Sequence, residues 1–166
     1  PERVVPLLLQ ACHSLGEAHD RGLVHRDIKP ANLYLCRHGR DLDHVKVLDF
    51  GLVKHTHDGS GEAKLTQDGR ISGTPTFIAP EQAQDRPVDH RADLYALGCV
   101  AYWLLTGRTV FAADSAIAQI IAHASEAPEP PSRHAAVPPE LDAVVLRCLA
   151  KRPEDRFASA DALTEA

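Results

Sequence analysis

Apolar side chains at Val5, Leu8, Leu9, Cys12, Leu15 and Ala18 recur with a period close to 3.6, which predicts an amphipathic helix over residues 2–21. Pro6 falls inside that stretch, so the regular part is expected to start near it, where a first-turn proline is tolerated. Gly22 stands where a left-handed cap would end the helix. The polar stretch from His25 to Asn32 contains Pro30 and cannot continue as helix. Leu33 to Cys36 and Val45 to Leu48 are short strand-like runs on either side of a polar turn, Arg37 to His44, and they predict a hairpin.

Residues 54–73 combine Gly, Asp, Ser, Thr and Lys with few apolar anchors, the pattern of a long mobile loop that is functional or disordered. The pattern then reverses. From Ala92 to Thr106, Leu94, Leu97, Gly98, Val100, Ala101, Leu104 and Leu105 leave little polar face, which predicts a helix buried at the domain centre and ended at Gly107. Ser115 to Ser125 reads as a shorter helix, and Ala127 to Pro139 as a proline-rich surface connection. Leu141 to Ala150 reads as an amphipathic helix, and Ala158 opens a last one that the chain end cuts short. There is no internal repeat.

Composition sets limits. A chain of 166 residues fits one domain, with 44% hydrophobic and 25% charged residues in the ordinary globular range. The formal charge of −5 gives no basic footprint, so neither nucleic acid nor an anionic membrane surface is expected as a partner. No apolar run approaches the ~20 residues of a membrane span. The cysteines at 12, 36, 99 and 148 lack C-x-x-C spacing and read as reduced core residues, an intracellular usage that points to the cytoplasm. His55 and His57 invite a metal reading, but tetrahedral zinc needs about four ligands at defined spacings and none follow nearby. The absence of methionine and an opening at Pro1 within a helical pattern point to a segment of a longer protein.

The chemistry is carried by an ordered set of short motifs. His25-Arg26-Asp27-Ile28-Lys29-Pro30-Ala31-Asn32 is followed by Asp49-Phe50-Gly51, Gly73-Thr74-Pro75 and Ala79-Pro80-Glu81. Asp93 then heads the apolar helix, and Arg156 closes a polar run after Arg152. In this order the motifs resemble the C-terminal lobe of the protein kinase superfamily, in its Ser/Thr branch, and most closely the bacterial kinases of that kind. The resemblance covers essentially the whole chain. It implies an α+β fold by family, mainly α in this segment, with helices and a small hairpin beside the catalytic loop. The domain would be an incomplete catalytic domain over 1–166, with a catalytic loop at 25–32 and an activation segment at 49–81.

The resemblance also implies roles. Asp27 would be the catalytic base toward a substrate hydroxyl, and Lys29 a cation on the transferred γ-phosphate of ATP. Asn32 and Asp49 offer the hard oxygen donors that Mg2+, or Mn2+ in its place, accepts beside phosphates and water. Such a reaction passes through a loose transition state, so positioning and charge neutralisation are what it needs. Lys29 and Thr74 are the Ser/Thr-type residues of the loop and groove, so the partner is a protein with a Ser or Thr acceptor. Arg26 resembles the family's regulatory arginine, and a guanidinium pairs well with a phosphorylated residue, Thr66 ahead of Ser72. His25 and Phe50 are core residues by resemblance and not acid–base groups. Asp93 would support the His-Arg-Asp loop, and Glu81 and Arg156 would form a buried ion pair. Tyr34 departs from the family, which usually presents an aliphatic residue or Met to adenine; its ring can stack, but its hydroxyl needs water or a partner.

The family's N-terminal lobe is absent, and Lys46, Lys54, Lys64 and Lys151 lie in the wrong context to supply its lysine. This segment is therefore expected to turn over little alone, with Leu35 and Phe50 facing the missing lobe. A pseudokinase or docking module is the alternative, against which the retained Asp27, Lys29, Asn32 and Asp49 weigh. A small-molecule phosphotransferase of the same fold is disfavoured by Thr74 and by Ala79 to Glu81. A cytoplasmic segment is compatible with a membrane-anchored parent.

Overall fold

A computed structural model describes residues 2–50 and 75–166. The first helix, α1, is Val4–Asp20, with Ala11, Cys12, Leu15 and Ala18 buried along the expected stripe. It starts ahead of Pro6, which takes the third position of the first turn, where the missing N–H would have no intrahelical acceptor. Gly22, at φ +73°, closes the other end. Its N–H donates to His19 O at 2.9 Å and that of Leu23 to Ala18 O at 3.0 Å, a pair that satisfies two orphan carbonyls.

Two antiparallel strands follow, β1 at Leu33–His38 and β2 at Asp41–Val47. Both run further toward the turn than their apolar residues suggest. A two-residue turn at Gly39 and Arg40, with Gly39 at φ +60°, lets polar side chains join the ladder. The register pairs Leu33 with Val47 and Cys36 with His44, then slips before His38 meets Asp41. Gln10 of α1 acts as a one-residue strand on β2. Its Nε2 donates to Asp43 O and its Oε1 accepts from the Val45 N–H, both at 2.9 Å. The hairpin is thereby fixed to α1 by backbone bonds.

The remaining helices are α2 at Pro80–Ala83, α3 at Arg91–Thr106, α4 at Ala116–Ser125, α5 at Pro139–Cys148 and α6 at Ala160–Glu165. Ser115 and Ser159 cap α4 and α6, each hydroxyl accepting a backbone N–H at 3.1 Å. The expected connection over 127–139 carries a 3-10 turn at Pro131–Arg133. Every residue of α3 from Ala92 to Tyr102 is buried, as its apolar circumference predicts. One side of α3 packs with Leu15, Ile28 and Phe157, the other with Phe111, Ala122 and Leu149.

Gly98 sets the spacing between α3 and α5. A Cβ on it would stand 2.6 Å from Cys148 Cβ, closer than two such atoms can approach. Cys12, Cys99 and Cys148 are free and buried, and burial pushes the Cys12 thiol up to about 11 and the Cys148 thiol up to about 12. Cys36 differs from the expected core placement, because β1 leaves it only half-buried opposite His44. The expected loop over 54–73, with His55 and His57, lies outside the described residues.

Gly98→Ala should lower stability by about 1–3 kcal/mol through overpacking, offset in part by the better helix propensity of alanine. Urea unfolding followed by the fluorescence of Trp103, the single tryptophan, reads this directly. An unchanged midpoint would mean that α3 and α5 are not held at this separation.

Candidate active site

The first turn of α3 buries a carboxylate. Asp93 is 0% exposed, and such a group needs partners because an unpaired buried charge is costly. Its Oδ2 accepts from the His25 N–H at 2.8 Å and its Oδ1 from the Arg26 N–H at 2.7 Å. His19 of α1 adds a third bond, Nε2 to Oδ2 at 2.9 Å. The charge also lies where a helix N-terminus favours an anion. His19 went unremarked in the sequence, where nothing local marks a partner 74 residues away.

Arg26 itself adopts φ +66°, a left-handed conformation that a non-glycine residue pays for with about 1–3 kcal/mol. Both its backbone polar groups are held from outside. Asp93 takes the N–H, and Gln82 of α2 donates through Nε2 to the Arg26 carbonyl at 2.9 Å.

His25 is consumed by structure. Its Nε2 donates to Leu48 O at 2.8 Å, its Nδ1 accepts from the Asp27 N–H at 3.3 Å, and its ring meets Phe50 edge-on with centroids 4.9 Å apart. Neither ring nitrogen is left for proton transfer in this arrangement. The Leu48 N–H returns to Asn32 O at 2.8 Å, so the chain leaving β2 is sewn to the loop entering β1. Asp49 comes next, exposed and at φ +60°.

Asp27, Lys29 and Asn32 meet at one point. Lys29 Nζ lies 2.6 Å from Asp27 Oδ2, and the two side chains are 40% and 62% exposed. Asn32 is buried, and its Nδ2 donates to Asp27 O at 2.7 Å and to Oδ2 at 3.2 Å. With its nitrogen spent on Asp27, the Asn32 amide has its carbonyl oxygen to offer a cation. That oxygen and the Asp49 carboxylate are hard donors suited to Mg2+, which takes one or two protein oxygens and completes its shell with phosphate and water. Among the described residues no three His, Cys, Asp or Glu side chains form a metal cage. Tyr34 is 58% exposed on β1, so water can satisfy its hydroxyl. Thr66, Ser72, Gly73 and Thr74 lie outside the described residues.

Glu81 and Arg156 form a fully buried pair with two bonds of 2.7 Å. The other three guanidinium donors go to the carbonyls of Ala150, Arg91 and Lys151, so all five are satisfied. Below this pair sits His123, fully buried, with Nδ1 2.9 Å from the Tyr95 hydroxyl and Nε2 3.3 Å from the Gln119 amide. Burial, with the nearby Lys151 ammonium, pushes its imidazole down to about 4. Burial also brings Lys151 down to about 8, and its Nζ donates to His123 O at 2.8 Å. None of Gln82, Gln119 and His123 belongs to a motif, although the i, i+4 spacing of Gln119 and His123 on α4 allows their pairing.

The sequence matches the family described as protein kinase domain over residues 2–166. Among curated proteins it is 49% identical to the serine/threonine-protein kinase Pkn1 of Myxococcus xanthus over 164 residues, 98% of this chain and 23% of that protein. It is 44% identical to the serine/threonine-protein kinase PknB of Mycolicibacterium smegmatis, covering 96% of this chain and 25% of the relative. The chain thus spans about a quarter of the length of these relatives. Among solved structures, a mutant PknI kinase domain of Mycobacterium tuberculosis is similar with a TM-score of 0.68 at 28% identity, over 98% of this chain and 52% of that one.

Two outcomes follow from the buried charges. Asp93→Asn turns one acceptor into a donor facing a backbone N–H, and an unmade buried hydrogen bond costs about 1–3 kcal/mol, readable as a lower urea midpoint. For His123 the folded pKa lies below the ordinary value of 6.5, so the unfolded chain takes up the proton first as pH falls. Stability present above pH 6.5 is therefore lost toward pH 4, by roughly 3 kcal/mol in total. His123→Asn should flatten that slope in unfolding measured between pH 7 and pH 4.

Proposed function

The chain belongs to the protein kinase domain family, and from that premise we propose that its parent protein transfers the γ-phosphate of ATP to Ser or Thr hydroxyls of protein substrates. In this reading residues 1–166 are the C-terminal lobe of the catalytic domain, with the catalytic loop at 25–32 and the activation segment at 49–81. The observation that carries it is the convergence of Asp27, Lys29 and Asn32 within hydrogen-bond distance, with the Asn32 backbone carbonyl accepting from the N–H of Leu48, the residue before Asp49.

Lys29 and Asn32 both engage Asp27 Oδ2, and Oδ1 is the atom assigned to accept the proton of the substrate hydroxyl. Lys29 supplies the cation that a transferred phosphoryl group requires. Asn32 Oδ1 and Asp49 would hold Mg2+, or Mn2+, which when bound to ATP neutralises charge on its phosphates. Tyr34 offers its exposed ring to adenine. Arg26 is assigned as the clamp for a phosphorylated Thr66 or Ser72, and Thr74 as part of the acceptor groove.

Tyr34, Leu35, Leu42 and Leu48 stay exposed on and beside the hairpin. An upstream lobe of the parent would cover such a surface and supply the upper wall of the nucleotide site, so the segment alone is expected to be nearly inactive. No helix among the described residues is long and apolar enough to cross a membrane, which suits a cytoplasmic placement of this segment.

The test is labelled-phosphate transfer from Mg–ATP to a basic model protein by the parent chain, upstream lobe included. Incorporation on Ser and Thr is expected, and Asp27→Asn should reduce it by roughly 10²–10⁴-fold, the range of a positioned general base. A folded parent that transfers no phosphate would overturn the reading in favour of a docking module.

A further inference from the structure

The peptide unit that joins Arg26 to Asp27 is clamped at both ends. Its N–H, on Asp27, donates to His25 Nδ1 at 3.3 Å, and its carbonyl, on Arg26, accepts from Gln82 Nε2 at 2.9 Å. Arg26, which enters this unit, is in a left-handed conformation, and the soft rotation left to the unit changes ψ of Arg26 together with φ of Asp27. That rotation would turn the Asp27 backbone and re-aim its side chain.

The other half of the Gln82 amide faces its own helix. Oε1 accepts from the Ala79 N–H at 3.1 Å, the back-bond of a helix N-terminus. An end-capping role alone would be met as well by glutamate, which has the same reach and the same acceptor. Only a side chain with one acceptor and one donor can hold Ala79 and the Arg26 carbonyl together. Glu81, immediately before it, is locked to Arg156, so α2 is a fixed platform from which Gln82 reaches the loop.

We propose that Gln82 is a positioning residue that holds the Arg26–Asp27 peptide in place and so couples the seating of α2 to the orientation of Asp27. The proposal rests on the phosphotransfer reading above. It predicts that donor and acceptor functions separate. Gln82→Glu keeps the acceptor for Ala79 and sets an oxygen against the Arg26 carbonyl. Gln82→Lys keeps a donor for that carbonyl and abandons Ala79.

Kinetics and unfolding of the parent chain, upstream lobe included, decide it. Gln82→Glu is expected to lower kcat roughly 10- to 100-fold, the cost of a small misplacement of a reacting group, with KM for ATP and the unfolding midpoint near wild type. Gln82→Lys is expected to unfold earlier yet to retain more kcat than Gln82→Glu. Wild-type kcat in Gln82→Glu, or kcat falling only in step with stability across both variants, would overturn the proposal. A wild-type parent without transfer activity would instead defeat the phosphotransfer reading itself, so the two failures are distinct.

Discussion

The structure turns on one buried carboxylate. Asp93 takes two successive backbone N–H groups, of His25 and Arg26, at the head of a helix with no exposed face along most of its length. Removing a carboxylate from water is expensive, and the cost is met only because three donors and the helix N-terminus converge on it. The same bonds fix a loop that would otherwise relax away from its left-handed residue. What the loop presents to solvent, Asp27 and Lys29, inherits its position from a group that never touches them.

The first turn of α3 is also where the second anchor arrives. Arg156 donates to the Arg91 carbonyl at 3.0 Å while holding Glu81, and His90 donates to Ala158 O at 2.8 Å. Segments from three distant parts of the chain therefore meet on one helical turn. Breaking one partner of the Glu81–Arg156 pair would leave a buried charge uncompensated, a loss of about 3–5 kcal/mol. The close contact of α3 with α5 at Gly98 makes this junction rigid, because neither helix can slide without a steric clash.

Much of this was legible in the sequence, and the divide between the legible and the hidden is physical. Periodicity marked α1 and α3, and the left-handed glycines at 22 and 107 marked their ends. Motif order marked Asp27, Asn32, Asp49 and Asp93, because short-range spacing carries them. The polar ends of β1 and β2 were missed, since a ladder closed by a tight glycine turn needs no apolar residue. Cys36 was misplaced for the related reason that a two-stranded sheet cannot bury it. Gln82 and His19 were invisible because the partners that matter are far along the chain, 56 residues away for Gln82 and 74 for His19, and the Tyr95 hydroxyl that meets His123 lies 28 residues away. A lone Gln or His in a helix has no local signature. Thr66, Ser72 and Thr74 fall beyond the described residues.

The site divides its labour by burial. The groups assigned to the reaction are exposed, Asp27 at 62% and Lys29 at 40%, whereas Asp93, Asn32, His25, Glu81 and Arg156 are buried. A reaction that depends on positioning gains most when reorganisation is already complete before substrate arrives. Exposed side chains on a long lever cannot supply that by themselves. Their backbone can, if its polar groups are all claimed by residues in a close-packed interior. Changes to the buried set therefore couple stability to chemistry, while changes to Asp27 or Lys29 leave the fold almost untouched. The amide of Gln82 is a half-buried member of the positioning set, and this is why it is a place where the two effects can be pulled apart.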